Sequence, residues 1–405
     1  MSERLLFQGL KVLDCASYIA APAAATILAD FGAEVIKIEP PGEGDPYRHL
    51  VGMPGMPASP HNYCWIVDNR CKKSLVLDLK SEAGHGVLRK LVADADVFIT
   101  NSPPQVRQRL KIAYEDLAPL NPRLIYAALT GFGESGPDAN KPGFDSTSWW
   151  ARSGLMDVVR PSGASPPARS VPGLGDHPTA VALYAAIVTA LYRRQSTGRG
   201  GMATTSLLAN GLWANACYVQ AVLSGAQVPR RPPREQAVNA VTNVYRCLDD
   251  RWFLLAMVRE ERYWQAFARC LGRPELIADP RFATMAARHA NSHALVAILD
   301  AVFAGKDWAE WREILQANGI TFGAIERVEE VAGDEQAVAA GALVPHGDAG
   351  AGAALTVNSP LFLDGEAKRP PSLAPEHGEH TEEVLLAAGF DAADIARLRA
   401  AGAFG

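Results

Sequence analysis

The chain of 405 residues contains little of what marks the specialised classes of protein. Its 6 cysteines show no CxxC or CxxxC spacing, which argues against a disulfide framework and a zinc site. Charged residues make up 20% and the net charge is −5, so no overall attraction to nucleic acid or anionic membrane is expected. The apolar runs are too short to cross a bilayer, and residues 1–8 lack the apolar core of a secretory signal. These absences predict a cytoplasmic protein with neither a nucleic-acid nor a membrane partner.

Hydrophobic residues, in contrast, make up 48% of the chain, enough for a large buried core. Strand-like apolar segments alternate with helical patterns, and such strand–helix–strand units build parallel sheets with right-handed crossovers. The sequence therefore predicts an α/β fold with a large Rossmann-like parallel sheet. The predicted strands are residues 10–14, 34–39, 74–79, 96–100 and 124–129, and the predicted helices include residues 21–31, 82–93, 179–194 and 204–222.

A Pro- and Arg-rich connection at residues 229–233 has the composition of a linker between domains. Beyond it, a strand pair at residues 244–258 precedes amphipathic helices, which predicts a smaller α+β domain. The tail carries a predicted strand at residues 354–357 and a helix pair at residues 379–401. We therefore predict a large domain over residues 1–225, a small domain over residues 226–330, and a C-terminal segment over residues 331–405 that returns to the large domain.

Residues 131–136 fit the G-x-G-x-x-G pattern of dinucleotide-binding proteins and follow a predicted strand. In a dinucleotide site this loop opens a helix whose N-terminus holds the pyrophosphate. Here Pro137 follows, and residues 138–143 are rich in turn formers. The sequence therefore argues against NAD or FAD binding, and the glycines are interpreted as positions where the chain passes close to something flat or bulky.

Two basic segments, residues 69–74 and the pair Arg107 and Arg109, are expected beside strands of the same sheet. Guanidinium groups are fork-shaped donors that suit phosphate oxygens. Together the segments suit a phosphorylated ligand such as the ADP 3′-phosphate of coenzyme A. The alternative is a solvated cationic surface, which is favoured for Lys72 on its own, and the residue pattern leaves both open.

Residues 173–178 (Gly-Leu-Gly-Asp-His-Pro) place Asp176 directly in front of a long apolar run. The glycines let the backbone approach a ligand closely, and Pro178 suits the first turn of a helix. A carboxylate at this point is either a plain N-cap, worth about 1 kcal/mol, or a nucleophile beside a ligand site. The segment alone favours the cap.

A second carboxylate, Asp145, lies shortly after a glycine and close to Trp149 and Trp150. Two neighbouring buried carboxylates move apart in pKa and can act as a pair. The alternative is a turn aspartate beside core aromatics. This alternative is favoured, because nothing in the sequence brings Asp145 and Asp176 together.

Three histidines, His177, His377 and His380, do not form a ligand set with metal-site spacing. The last two precede acidic residues typical of the first turn of a helix. Structural roles are expected for all three, and no metal site is predicted.

Taken together, blocks in order along nearly the whole chain resemble the class III coenzyme A transferases, the family of formyl-CoA transferase and carnitine CoA-transferase. Agreement over so many blocks is far more specific than any single motif. The resemblance implies a large Rossmann-like domain, a small domain and a homodimer of two chains interlocked like links. The matching blocks are residues 9–14, 30–39, 42–45, 69–80, 120–126, 131–133, 174–176, 197–200 and 378–381.

The resemblance also implies that Asp176 is the nucleophile of a CoA transfer. Its carboxylate attacks the donor thioester to give a mixed anhydride, and the released thiolate then forms an aspartyl-CoA thioester that serves the acceptor acid. A helix N-terminus beside Asp176 favours its ionised form. The expected substrates are an acyl-CoA and a small carboxylic acid, without a permanently bound cofactor. The implied CoA contacts fall on Ile19, Ala20, Leu77, Lys80, Asn101 and Arg109.

Two departures from the family pattern narrow the chemistry. Formyl-CoA transferase has a glutamine at the position of Ile19 and a glycine-run loop that residues 241–250 lack, which argues against formyl-CoA and oxalate. The 2-methylacyl-CoA racemases of the family use a histidine–aspartate pair. Their histidine aligns with Phe144, which cannot accept a proton.

The sequence therefore predicts an acyl-CoA:carboxylate CoA-transferase, with succinyl-CoA as a candidate donor and Asp145 as a second carboxylate of open role. The alternatives are a racemase or isomerase of the same family and a CoA-binding protein without turnover. Three aromatic residues either line an acyl pocket or belong to the core: Tyr18, Trp149 and Trp150. Three arginines either attract a dicarboxylate acceptor or lie on the surface: Arg152, Arg160 and Arg169.

Overall fold

The computed structural model describes residues 4–348 and 352–405, and their Cα positions group into two compact units. The first unit comprises the chain up to Leu155 together with Arg169–Gln220 and Glu335–Gly405. The second comprises Met156–Ala168 and Ala221–Asp334. Across these described residues, no helix combines the length and the apolarity that a membrane crossing needs.

The first unit is built on a sheet of six strands in which every neighbouring pair is parallel. The strands are β1 (Lys11–Asp14), β2 (Glu34–Glu39), β3 (Lys73–Val76), β4 (Val97–Thr100), β5 (Ile125–Thr130) and β6 (Gly201–Ser206). Their order is β3-β2-β1-β4-β5-β6. Strands β2 and β3 are added on one side of β1 and strands β4 to β6 on the other, so the topological switch point lies between β1 and β4. Ligands of such doubly wound sheets bind beyond the carboxyl ends of the strands at this switch point. The predicted α/β fold with a parallel sheet is confirmed.

The α-helices alternate with these strands and continue through the rest of the chain. Numbered along the chain, they are α1 (Ala20–Asp30), α2 (Tyr63–Asn69), α3 (Glu82–Ala93), α4 (Pro104–Arg109), α5 (Tyr114–Leu117), α6 (Leu155–Val158), α7 (Asp176–Thr197), α8 (Leu207–Ala214), α9 (Ala216–Leu223), α10 (Glu260–Cys270), α11 (Met285–Ala290), α12 (Ser292–Phe303), α13 (Trp308–Ala317), α14 (Val328–Val331), α15 (Glu335–Ala339), α16 (Thr381–Ala387) and α17 (Ala392–Ala400). Short 3-10 segments are Pro46–Gly52, Ala118–Leu120, Arg234–Gln236 and Pro274–Ile277, and Asp145–Ala151 is π-helical.

The predicted helix over residues 204–222 is wrong at its beginning. Thr204, Thr205 and Ser206 belong to β6 and pair with the last three residues of β5. Threonine is branched at Cβ and fits a pleated strand better than a helix. The helical region begins only at Leu207 and is interrupted at Asn215, between α8 and α9.

Helices cover both faces of the sheet. On one face α1 packs against α7, and all residues of α1 are buried because its alanines allow close approach. On the other face α3 shares a core with Val384, Leu385 and Ile395 of α16 and α17. The first unit also contains the antiparallel pair β10 (Leu343–Pro345) and β11 (Leu355–Val357).

The second unit contains an antiparallel sheet in the order β7-β8-β9. Its strands are β7 (Thr242–Arg246), β8 (Trp252–Ala256) and β9 (Phe322–Ala324). Aromatic side chains of this sheet and of α10, α12 and α13 fill one core. The strand pair and amphipathic helices predicted for this region are therefore present.

A buried network of ion pairs joins the first three strands of the parallel sheet. Lys72, directly before β3, donates from Nζ to Asp14 Oδ2 at 2.9 Å and to backbone carbonyls of α1 and α2 at 2.8 and 2.9 Å. Lys37 of β2 lies 2.7 Å from Asp45 Oδ2 and 3.9 Å from Asp14 Oδ1. Burial lowers the pKa of Lys72 to about 8, and Asp14 opposes that shift. The ammonium is therefore kept at neutral pH.

This network corrects both interpretations of the basic segment at residues 69–74. Lys72 is only 4% exposed, so it does not belong to a solvated surface. Arg70 is equally buried and donates to both carboxylate oxygens of Asp30, at 2.9 and 2.7 Å. Lys73 pairs with Glu34 and Glu383. Because each cation already has a carboxylate partner, the segment is not a phosphate site either.

We predict that Lys72→Met destabilises the protein by about 3–5 kcal/mol, because the change leaves the Asp14 carboxylate buried without its main partner. Urea unfolding followed by circular dichroism measures the loss. Lys73→Met is the matched control, since the Lys73 ammonium is partly exposed and such pairs are worth about 1 kcal/mol or less. Equal losses for the two variants would contradict a special role for the buried pair.

Candidate active site

A cavity of about 350 Å³ opens beyond the carboxyl ends of β1, β4 and β5, at the switch point of the sheet. This is the position at which open α/β sheets bind ligands. Most of its wall is apolar, and it includes the first residue of α7. The lining comes from residues 18–20, 129–131, 143–146 and 169–173, together with Leu50, Met53, Asn101, Asp176 and Leu207.

Glycines after β5 allow the chain to fold back and form part of the cavity wall. The loop at residues 131–136 continues as turns, in agreement with the rejected dinucleotide pattern. A Cβ on Gly143 would lie 2.8 Å from the Cα of Gly131, so the two glycines allow backbone to pass directly against backbone. The object that the glycines accommodate is therefore the chain itself. This contact returns the chain to the cavity and places Asp145 at the start of the π-helical segment.

The structure brings the two predicted carboxylates together. Asp176 is the first residue of α7, and its N-cap is Gly175, which provides no capping side chain. The backbone N–H of Gly175 instead donates to Asp145 Oδ2 at 3.3 Å. The interpretation of Asp176 as an N-cap is therefore wrong: Asp145, from a separate segment, accepts at the helix end, and the Asp176 carboxylate lines the cavity.

The glycines beside Asp176 leave space for side chains of this chain, and Gly173 also lines the cavity. A Cβ on Gly175 would lie 2.6 Å from the indole of Trp149. Gly173 has φ +82°, and a Cβ there would lie 3.0 Å from the imidazole of His177. A side chain at either position would therefore collide with a ring beside the N-terminus of α7.

Burial raises the pKa of the Asp176 carboxyl to about 7, with the nearby Asp145 carboxylate adding to the shift and His177 opposing it. The expected preference of the helix N-terminus for the ionised form is outweighed by this burial and by Asp145. A carboxyl whose pKa lies near neutrality in a cleft is typical of a functional site.

The aromatic candidates divide between cavity and core. Tyr18 lines the cavity with φ +64°, and its backbone N–H donates to Asp45 Oδ1 at 3.1 Å. Its ring packs edge-on against Phe144, with 5.6 Å between centroids. Trp149 is buried in the main core and stacks on Trp150. Phe144, which cannot act as a base, thus forms part of the cavity wall.

The three candidate arginines lie in three different surroundings. Arg169 lines the cavity. Arg152 lies 3.4 Å from an Asp138 carboxylate oxygen, and Arg160 belongs to the second unit, where it pairs with Asp157 at 2.6 Å.

Of the six residues implied to contact CoA, five line one of two cavities and the sixth is buried in the core. Ile19, Ala20 and Asn101 line the cavity, and the Asn101 amide bonds both backbone groups of Ser17 after β1. Leu77 is buried in the core. The remaining two residues share a second, basic groove of about 1180 Å³, whose lining includes Lys80, His85, Arg89, Arg109 and Lys111. Arg107, in contrast, is buried and pairs with Glu134 at 2.5 Å.

Each of the three histidines is hydrogen-bonded within the chain. His377 Nε2 lies 3.0 Å from the carbonyl of Pro40, and His380 Nδ1 accepts from the backbone N–H of Ser74 at 3.3 Å. His177 lies 3.0 Å from Asp68 Oδ1. Sequence reasoning missed Asp68, because it lies 109 residues from His177 and carries no motif of its own.

Comparison with known proteins identifies the family. Residues 7–381 match the model of CoA-transferase family III. The chain is 34% identical over 388 residues to (R)-2-hydroxy-4-methylpentanoate CoA-transferase of Clostridioides difficile, covering 96% of each. It is 33% identical over 402 residues to cinnamoyl-CoA:phenyllactate CoA-transferase of Clostridium sporogenes, covering 97% of this chain and 96% of that protein. The crystal structure of a CAIB/BAIF family protein from Brucella suis gives a TM-score of 0.83 at 28% identity, covering 95% of this chain and 100% of that one.

The parallel sheet, with its cavity at the switch point, places the chain among the α/β enzymes. The match over nearly its whole length makes the assignment specific: the chain belongs to CoA-transferase family III. It is a class III CoA-transferase, and the resemblance seen in the sequence is confirmed.

We predict that Gly175→Ala destabilises the protein by about 1–3 kcal/mol and lowers transferase activity, because the added methyl collides with Trp149 and displaces the first turn of α7. Thermal unfolding followed by tryptophan fluorescence measures the stability, and exchange of labelled CoA between acids measures the activity. Gly86→Ala in α3 is the control, since a Cβ there meets nothing within 4 Å and alanine favours a helix by up to about 1 kcal/mol. Unchanged stability and activity in Gly175→Ala would contradict the contact.

Proposed function

We propose that this chain transfers coenzyme A from an acyl-CoA to a free carboxylic acid, with Asp176 as the covalent nucleophile. The observation that carries the proposal is an ionisable carboxylate, its pKa raised to about 7, on the wall of a mostly apolar cavity at the switch point of the sheet. A buried carboxylate has little water to shed before it attacks, which favours its reaction with a thioester.

The reaction begins when an Asp176 carboxylate oxygen attacks the thioester carbon of the donor. A C–O bond forms, the C–S bond breaks, and CoA leaves as a thiolate, which gives a mixed anhydride between the acyl group and Asp176. The thiolate then attacks the Asp176 carboxyl carbon and displaces the donor acid as a carboxylate. The product of this first half is an aspartyl-CoA thioester.

The second half repeats the exchange with the acceptor acid. Its carboxylate attacks the Asp176 carbonyl carbon, expels the CoA thiolate and forms a second mixed anhydride. The thiolate attacks the acyl carbon of the acceptor, which leaves as the new acyl-CoA, and the Asp176 carboxylate is restored. No proton is gained or lost in the cycle, so the site needs no acid–base pair.

The absence of a proton-transfer step distinguishes the proposed CoA transfer from racemisation. Moving an α-proton requires a base on one side of the substrate and an acid on the other. The described lining of the cavity contains no histidine, and the 52% exposed ring of Phe144 stands where a racemase has its base. Transfer chemistry fits this lining and racemisation does not.

The coenzyme follows the two groups of implied contacts. The thioester end lies along the backbone of Ile19 and Ala20 and beside Asn101, close to Asp176. The phosphates of the nucleotide end occupy the basic groove around Lys80 and Arg109, whose side chains are exposed. The first unit is then the CoA-binding domain.

The acid is proposed to carry a branched or aromatic side chain. Tyr18, Phe144, Leu50 and Met53 offer the cavity an apolar surface, and two relatives are named for 2-hydroxy-4-methylpentanoate and phenyllactate. Among the described lining residues Arg169 is the single cation, and it gives the incoming carboxylate a counter-charge. Succinyl-CoA remains a candidate donor, since its second carboxylate meets the same cation.

A second copy of the chain is proposed to cover the exposed apolar side chains of α7 and α8. Tyr192 is 76% and Trp213 82% exposed, and Leu212 is also open. Exposed apolar patches of this kind mark interaction surfaces. The homodimer implied by the resemblance accounts for them, with its interlocked form resting on that resemblance alone.

The nucleophile is tested by Asp176→Asn, which removes the charged oxygen while keeping the shape of the side chain. We predict that exchange of labelled CoA between acids falls by at least about 10³-fold. Asp391→Asn, at the start of α17, is the control and should retain full exchange, because asparagine also caps a helix. In wild type incubated with acyl-CoA, hydroxylamine should displace the acid or the CoA thiolate from the activated Asp176 carboxyl and leave a hydroxamate there, as seen by peptide mass spectrometry.

Undiminished exchange in Asp176→Asn would exclude Asp176 as the nucleophile. Deuterium incorporation at Cα without any acceptor acid would instead identify a racemase. Binding of acyl-CoA without exchange or adduct would identify a non-catalytic CoA-binding protein.

The acceptor is tested by a screen of acids against several acyl-CoA donors. We predict that kcat/KM for 4-methyl-2-hydroxypentanoate or phenyllactate exceeds that for succinate, glutarate or oxalate by roughly 10–100-fold, since burying one apolar side chain is worth about 1.5–3 kcal/mol. Phe144→Ser should reduce this preference. A higher kcat/KM for dicarboxylates would show that the apolar wall does not select the acid.

A further inference from the structure

His177 directly follows the proposed nucleophile but faces a different space. Asp176 lines the site cavity, whereas the His177 ring lines a separate cavity of about 800 Å³. The ring is fixed at both nitrogens: Nε2 lies 3.0 Å from Asp68 Oδ1, and Nδ1 lies 3.1 Å from the carbonyl oxygen of Gly173. His177 is therefore not one of the residues that line the site cavity.

Both nitrogens of this ring face oxygen acceptors. A backbone carbonyl accepts hydrogen bonds and never donates them, so Nδ1 must carry a proton. A carboxylate is likewise an acceptor, so Nε2 must carry one as well. A neutral imidazole has only one N–H, and both hydrogen bonds form only when the ring is a doubly protonated imidazolium.

Whether the Asp68 carboxyl is ionised decides whether the ring of His177 is doubly protonated. Asp68 is 2% exposed, and its other oxygen, Oδ2, lies 2.5 Å from the hydroxyl of Tyr47, which is also buried. The Tyr47 hydroxyl donates to that oxygen, as suits a carboxylate. An ionised carboxylate in such a buried place needs a cation, and His177 is the partner at Oδ1.

The backbone at Gly173 leaves room for the ring in this orientation. Gly173 has φ +82°, and its missing side chain leaves the space that the ring occupies, since a Cβ would lie 3.0 Å from the ring. The Gly173 carbonyl also accepts the backbone N–H of His177 at 3.1 Å. Two hydrogen bonds thus orient the half-exposed imidazole beside the first residue of α7.

We propose that His177 is an imidazolium, paired with Asp68, that favours the ionised form of Asp176. It is a positioning residue, because it acts on Asp176 through charge and makes no contact with the reacting atoms. This inference rests on the proposed role of Asp176 as the nucleophile.

Other charged groups near Asp176 and His177 act in opposite directions on their ionisation. Asp145 and Asp68 oppose ionisation of Asp176, and His177 favours it. Burial opposes the charged ring of His177, but the hydrogen bond and the charge of Asp68 raise the pKa of His177 to about 9. In the 800 Å³ cavity the further titratable side chains are His61, Tyr63, Arg70 and His346, of which Arg70 is bound by Asp30.

The protonation of His177 is measured by nuclear magnetic resonance on protein labelled with ¹⁵N-histidine, with His177→Gln providing the assignment. We expect both ring nitrogens to remain protonated from pH 6 to pH 8. In Asp68→Asn the ring should titrate near or below its ordinary value of about 6.5. A single protonated nitrogen in wild type at pH 7 would overturn the proposal, since Asp68 would then hold the proton.

The effect on Asp176 is measured from the pH dependence of kcat/KM for acyl-CoA. Wild-type activity should fall as the pH drops below about 7, because the protonated Asp176 carboxyl cannot attack. His177→Gln should move this fall by about one pH unit upward, since a neighbouring opposite charge shifts a pKa by about 1–3 units. The loss relative to wild type is then about tenfold at pH 6 and nearly absent at pH 9.

Asp145→Asn is the comparison variant, because the asparagine oxygen still accepts the Gly175 N–H while the negative charge is gone. It should move the acid limb in the opposite direction, to lower pH. A pH-independent loss in His177→Gln would show a purely structural role and overturn the proposal. If wild type exchanges no CoA at all, the proposed function fails, while the magnetic resonance result still decides the charge of His177.

Discussion

The contact between the Lys72 ammonium and the Asp14 carboxylate connects the strands of the sheet to the site. Lys72 also bonds the carbonyl of Asp68 in α2 and a carbonyl of α1, so one buried cation fixes the end of β1 and two helices. Because a buried charge is costly without partners, these elements cannot move apart separately. The fixed position of α2 in turn aims the Asp68 side chain at His177. The electrostatics of the site therefore begin in the core.

A second branch of the same network shapes the cavity wall. Lys37 pairs with Asp45, whose other oxygen accepts the backbone N–H of Tyr18. Tyr18 has φ +64°, a conformation that residues with a side chain rarely adopt and that the surrounding contacts must hold. With Tyr18 in this conformation its ring meets Phe144, and the two rings form an apolar part of the cavity wall. The apolar wall of the cavity and the surroundings of the proposed nucleophile thus depend on one set of buried charges.

Local patterns predicted the elements of the sheet well, since alternation and capping are properties of neighbouring residues. The predicted helix at residues 82–93 agrees with α3, and the five predicted strands all exist. The same patterns did not predict partners across the chain. Lys72 lies 58 residues from Asp14, and without that contact a basic segment resembles a surface or a phosphate site. The segment around Asp176 alone favours that residue as the N-cap of α7, because Asp145, 30 residues away from Gly175, leaves no local signal.

The position of the cation suits the chemistry proposed for the cavity. A thiolate and a carboxylate must both stay unprotonated while CoA moves between acyl groups, and a free thiol has a pKa of about 8.5. A protonated histidine inside the cavity would donate its proton to either group and stop the exchange. His177 lies outside that cavity, with both N–H groups already bonded to Asp68 and Gly173. In the proposed arrangement its charge therefore reaches Asp176 while its protons do not, and no histidine is among the described residues that line the cavity.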